Sequence, residues 1–427
     1  MELAARAVHL LQQLLRIRTV NPPGGERPVQ ELLAAELQQA GFEVTLTGRT
    51  AERPNLVARL RGQAPGPVLG LLSHVDTVLA DAEDWRHDPW SGVIDAGDVW
   101  GRGAQDMKSQ TAAEVAAAID LAASGWRPAR GDLLVIAVVD EERGGEEGAI
   151  WLCEHEPELV RCDWLLNEGA GTAIDHAGRR YFGVCTAEKG VFRFTLTVRG
   201  RPGHASMPGV ADNPVLRLAP LLAALGAAAP GLDLTEAPER LFSVLGVSGL
   251  DELRSADPRL AAYVEPMVSV TVAPTVLEAS PMINVVPAAA RIRVDCRTPP
   301  GHGRETVERR VGEILAGAGV DYELTFDEEV VGNGSPADSP LMDALGRWLA
   351  AEEPGGTLLP FLLPAYTDSR TFRDAFPDCV AYGFFPQRER TIDEAWPLVH
   401  GIDERIAVAD LGFAARCYRA VARDLLG

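Results

Sequence analysis

Two unbroken apolar runs constrain this chain most: Val68-Leu69-Gly70-Leu71-Leu72 and Leu133-Leu134-Val135-Ile136-Ala137-Val138-Val139. Neither alternates with polar residues, so neither suits a sheet with one wet face. Such runs suit strands covered on both faces. An Ala-rich stretch from about Met107 to Ala123 lies between them and reads as a helix. That order predicts an α/β sheet covered by helices. Upstream, one helix stops before Asn21-Pro22-Pro23-Gly24, and a second runs from about Pro28 to Ala40. Strands are expected near Glu43–Thr47 and Asn55–Leu60.

The pattern changes near Gly190. Phe192-Arg193-Phe194-Thr195-Leu196-Thr197-Val198 alternates apolar and polar residues, as does Ala290-Arg291-Ile292-Arg293-Val294-Asp295-Cys296-Arg297. Period two means one buried and one wet face, as in an antiparallel sheet. Helical stretches near Pro214–Ala228 and Glu305–Ala316 follow these strands. After Gly332-Asn333-Gly334-Ser335-Pro336 the helix and apolar-strand patterns resume. The expected organisation is a larger domain of residues 1–189 and 330–427, with a smaller α+β domain of residues 190–329 inserted into it. The stretch 231–266 matches no pattern that assigns it a role.

Composition limits the partners. In 427 residues, 61 acidic against 40 basic side chains give a net charge of −21, which disfavours nucleic acid. Six cysteines, at 153, 162, 185, 296, 379 and 417, form no CxxC, as expected of free thiols in a reducing cytoplasm. The N-terminal stretch has helical spacing with interspersed charges, unlike a signal peptide. No apolar run approaches the roughly 18 residues that span a bilayer.

Chemistry-bearing residues follow the apolar runs. His74 and Asp76 follow the first, Glu141 and Glu142 the second, and Glu168 follows Trp164-Leu165-Leu166. Sites in open α/β sheets form beyond the carboxyl ends of strands, so these groups can converge. Alone, a His-x-Asp is more often a surface pair and a Glu-Glu more often solvated. Acidic and imidazole groups at three strand ends together are harder to dismiss. Asp106 adds a carboxylate where a Gly-rich loop enters a helix, and His400 an imidazole late in the chain. The Glu146-Glu147 pair reads as solvated.

These residues carry a family resemblance. The segments SHVDTV, GRGAQDMKSQ, VVDEERGGEEG, LLNEGA, VRGRPGHASMP, INVVP, YTDSRTF and HGIDERI resemble those of the dinuclear zinc hydrolases. That family includes carboxypeptidase G, aminoacylase, acetylornithine deacetylase and succinyl-diaminopimelate desuccinylase. The segments occur in the family's order and span almost the whole chain.

The resemblance implies a zinc-exopeptidase-like catalytic domain with a mainly parallel sheet, plus an inserted lid and dimerisation domain with an antiparallel sheet. It implies two Zn2+ per chain, with Co2+ or Mn2+ as substitutes. Asp106 then bridges the metals. His74 and Glu168 complete one site, Glu142 and His400 the other, and Asp76 orients His74. Glu141 is the general base for attack by metal-bound hydroxide on an amide or peptide bond. His204 polarises the scissile carbonyl, from the partner subunit in a homodimer. Arg370 binds the carboxylate of an N-acyl amino acid or short peptide, and Asn284 contacts substrate.

Two other readings fit these residues less well. A metal-free glycosidase working through paired carboxylates needs neither His74 nor His400. A catalytically silent binding protein on the same fold fits poorly with a complete set of ligands and base.

Overall fold

A computed structural model describes residues 1–228 and 231–427. The chain divides into two compact units. Unit 1 comprises Met1–Thr186, Gly334–Phe361 and Thr367–Gly427. Unit 2 comprises Ala187–Asn333 and Leu362–Tyr366. The return of residues 362–366 to unit 2 leaves no mark in the sequence pattern, because Leu362 and Leu363 complete the apolar strand Thr357–Leu363.

The centre of the large sheet is the parallel set Asp132–Val138, Val68–His74, Trp164–Asn167 and Val380–Gly383. Antiparallel strands flank it: Glu43–Thr47 and Asn55–Arg61 on one side, Arg179–Glu188 and Thr172–His176 on the other. The apolar runs are continuous because each face of a strand meets its own core. Leu133, Val135 and Ala137 belong to one apolar cluster, and Leu134, Ile136 and Val138 to the other. The helix Lys108–Ala123 is buried almost all round, which its alanines permit by allowing close approach of Leu3–Leu15 and Val408–Leu426.

The first apolar strand runs two residues further than its apolar stretch, because ladder pairing continues through Ser73↔Ala137 and His74↔Val138. The second leaves the sheet at Val138. Asp140 then adopts φ 71, uncommon for a residue with a Cβ, and leads into a tight turn at Glu141–Arg143. Gly383 lets its strand lie against the Glu168 carbonyl, which a Cβ there would meet at 1.9 Å.

Unit 2 contains a four-stranded antiparallel sheet in the order Thr271–Glu278, Ala289–Thr298, Gly190–Arg199, Glu323–Val330. Phe192, Phe194, Leu196 and Val198 share an apolar core with the helices Pro214–Ala227 and Arg304–Leu315. The opposite face carries ion pairs such as Arg193 with Asp295 and Glu328. The stretch 231–266 holds three helices, Glu236–Leu245, Leu250–Ala256 and Pro258–Val264. Among the described residues, no helix is long and apolar enough to cross a membrane.

Candidate metal centre

The parallel strands deliver their following residues to one end of the sheet. His74, Asp106, Glu141, Glu142, Glu168 and His400 meet there, all within unit 1. Asp106 is shared between the imidazoles. Its Oδ1 lies 3.0 Å from His74 Nε2 and its Oδ2 3.1 Å from His400 Nε2. Glu168 Oε1 is 3.7 Å from His74 Nε2, and Glu142 Oε2 is 3.1 Å from His400 Nε2. Glu141 Oε2 stands further back, 3.9 Å from His74 Nε2.

Asp76 ties these groups together. His74 Nδ1 is 3.1 Å from the Asp76 backbone carbonyl and 3.4 Å from its Oδ1, so the orienting partner is mainly the carbonyl. The carboxylate accepts from the backbone N–H of Glu141 and of Glu142, each at 3.2 Å, and so fixes the turn that carries both glutamates. Asn21 Nδ2 donates to Asp76 and to Asp140, each at 2.9 Å. Arg53 grips Glu26 through two bonds of 2.6 and 3.0 Å and reaches Asp140 at 3.3 Å.

The electrostatics are those of a cation site. Burial raises the Glu168 carboxyl well above the usual range, and the charge of Asp106 adds to this. Burial likewise raises Glu141, reinforced by Glu168. Burial alone would raise Asp106 too, but bonds to His400 and His74 outweigh it and hold the carboxyl low. Bonds to Asp106 and Glu142 raise His400 to about 10. Glu142 Oε1 is buried with no hydrogen-bond partner.

This donor set fits divalent cations. The donor atoms of His74, Asp106 and Glu142 lie within 4.8 Å of one another, as do those of His74, Glu141 and Glu168. Ligands about 2.0–2.1 Å from a tetrahedral zinc stand about 3.3 Å apart, close to the spacings around Asp106. Mixed imidazole and carboxylate donors are those zinc accepts.

The remaining candidates fall elsewhere. Arg370 lies in unit 1, half-buried in the first turn of the helix Asp368–Ala375. Its neighbour Asp368 is buried, and its charge bears on Glu141 and Glu168. His204 and Asn284 lie in unit 2, where they are neighbours. The pairs Gly203↔Val286 and His204↔Val285 form a short ladder, and Ala205 N–H donates to the Asn284 carbonyl at 3.0 Å. His204 is exposed, its Nδ1 2.7 Å from Ser206 Oγ.

Sequence reasoning missed the charged supports. Arg53 sits in a polar loop and carries no motif. Glu147, expected to be solvated, places Oε2 3.4 Å from Arg53. Glu404 lies inside the HGIDERI segment, which was signal enough to single it out.

A family model described as peptidase family M20/M25/M40 matches residues 70–424. A succinyl-diaminopimelate desuccinylase of Xanthobacter autotrophicus is 31% identical over 398 residues, covering 91% of this chain and 94% of that protein. Another, from Alkalilimnicola ehrlichii, is 28% identical and covers 99% of this chain and 100% of its own length. Among solved structures, an M20 family metallo-carboxypeptidase from Sulfolobus solfataricus aligns with a TM-score of 0.76 at 18% identity, covering 100% of this chain and 99% of its own. A dinuclear metal binding peptidase of the M20 family from Bacillus subtilis gives 0.63 at 16% identity, covering 99% and 98%. The structural likeness is one of fold. The family match over most of its length makes this chain a member of peptidase family M20/M25/M40, and so a metal-dependent hydrolase.

Proposed function

We propose that the chain is a dizinc hydrolase that cleaves the amide bond of an N-acyl amino acid or short peptide with a free carboxylate. One observation carries the dinuclear reading: the two oxygens of Asp106 each face a different imidazole, at 3.0 and 3.1 Å. Divalent cations in such a site make water acidic enough to ionise near neutral pH and polarise an amide carbonyl. His74 and Glu168 would hold one, Glu142 and His400 the other, with Asp106 between them.

Glu141 stands beside these ligands. It takes a proton from the attacking water and delivers it to the leaving nitrogen. A C–O bond forms, the C–N bond breaks, and an acid and an amine leave. Arg370 forks to the substrate carboxylate. His204 donates to the developing oxyanion, and Asn284, its neighbour, contacts substrate.

The desuccinylases named above make N-succinyl amino acids the first class to test. A second copy is proposed to pair through unit 2, whose edge strand Thr271–Glu278 exposes Val276 and Leu277. Six buried cysteines, none in a disulfide, suit a reducing cytoplasm.

The test is a panel of N-succinyl and N-acetyl amino acids, dipeptides and their C-terminal amides, with zinc or cobalt added. Turnover confined to substrates with a free carboxylate is expected. Equal turnover of acids and amides, or none of either by metal-loaded protein, would sink the reading.

A further inference from the structure

Resting on the dinuclear reading above, we propose that Glu404 and Arg102 act as one clamp that sets the spacing of the two loops carrying Asp106 and His400. Glu404 is fully buried and touches none of the candidate metal ligands with its own carboxylate except through the backbone N–H of Asp106. Its Oε1 accepts from Gln105 N–H at 2.6 Å and Asp106 N–H at 2.9 Å. Its Oε2 accepts from Arg102 Nη1 at 2.6 Å and Gly103 N–H at 3.0 Å. One anion thus gathers the Gly-rich loop from inside and fixes where Asp106 leaves it.

Arg102 extends the clamp to the second loop. Its Nη2 donates to the carbonyls of Gly401 at 3.0 Å and His400 at 3.4 Å. Its guanidinium packs over the Trp85 ring at 5.2 Å, which restricts its rotation. His400 needs this support. It holds φ 58, a left-handed backbone that persists in a residue with a Cβ only when its surroundings fix it. The bridging carboxylate and the imidazole opposite it therefore share one buried anchor.

The residue types are specific to the task. A carboxylate offers two acceptor oxygens to two pairs of N–H donors. A glutamine offers one, and turns an N–H2 against the other pair. An arginine donates to Glu404 and to both carbonyls at once, whereas a lysine is a point charge that cannot fork between them. Both are positioning residues, and their effect should be read on metal binding.

The experiment titrates metal-free wild type, Glu404→Gln and Arg102→Lys with Co2+ against a competing chelator, following cobalt absorbance. The wild type should take two equivalents. Glu404→Gln should bind both about 10–100-fold more weakly, the usual scale for a group that supports metal ligands. Excess metal should then restore kcat with KM unchanged. Arg102→Lys should bind one equivalent as the wild type does and the other weakly, with the loss confined to the site of His400 and Glu142. A clamp that only stabilised the fold would lower Tm and leave both affinities at wild-type values, and that result overturns the proposal. If Glu404→Gln does not fold, Arg102→Lys alone decides. A wild type that binds fewer than two Co2+ removes the dinuclear reading and the clamp with it.

Discussion

Glu141 and Glu142 are chemically identical neighbours, and only their surroundings separate them. Glu142 Oε2 lies 3.1 Å from the His400 imidazole, a spacing suited to two ligands of one cation. Glu141 Oε2 is 3.9 Å from His74, near enough to reach a water beside the ligands. Glu141→Gln should therefore keep both metals and lose about 10²–10⁴-fold in kcat, whereas Glu142→Gln should lose a metal. Metal analysis beside steady-state kinetics checks both, and the reverse pattern would exchange their roles. Arg370→Ala should raise KM for free-acid substrates by the equivalent of about 2–4 kcal/mol and leave C-terminal amides, already poor, unchanged. An equal effect on acids and amides would show that Arg370 does not read the carboxylate.

At the scale of elements, the apolar runs and strand ends were legible because burial on both faces leaves a run without polar gaps. His74, the Glu141-Glu142 pair and Glu168 could be found as the residues that follow such runs. Asp106 and His400 follow none; a Gly-rich helix entry and a late imidazole made them candidates, and only the family segments gave them roles. Arg53 and Glu26 were not legible, since spacing does not reveal that Glu26 is buried or that Arg53 pairs with it. Lys189 is another such group. It precedes the strand Gly190–Arg199 and donates to the carbonyls of Ser269 at 2.7 Å and Pro266 at 2.8 Å. Burial lowers its ammonium to about 7. An unfolded lysine titrates near about 10.4, so between these values the unfolded chain binds a proton that the folded chain does not. The stability contributed by Lys189 is therefore complete above the unfolded value and is lost as pH falls towards about 7. Denaturant unfolding at pH 7.5 to 9.5 gives the slope of stability with pH, to which Lys189 adds a rise. Lys189→Met should reduce that slope by up to about 1.4 kcal/mol per pH unit. Identical slopes would mean that Lys189 stays charged in the fold.

At the scale of the whole molecule, the candidate metal ligands fall in one unit and His204 in the other. If His204 serves the site of a partner subunit, His204→Ala should bind metal normally and lose about 10²–10³-fold in kcat. Mixing His204→Ala with Glu141→Gln subunits should then restore activity to about a quarter of wild type after random exchange. No recovery despite proven exchange would place the histidine's action within its own chain. The catalytic expectations rest on a site that needs two cations to cleave an amide. The direct test follows hydrolysis of an N-succinyl amino acid while metal-free protein is titrated with Zn2+. A two-cation site gives no turnover without metal and a rise that continues to two equivalents per chain. A plateau at one equivalent, or turnover by the metal-free protein, would contradict it.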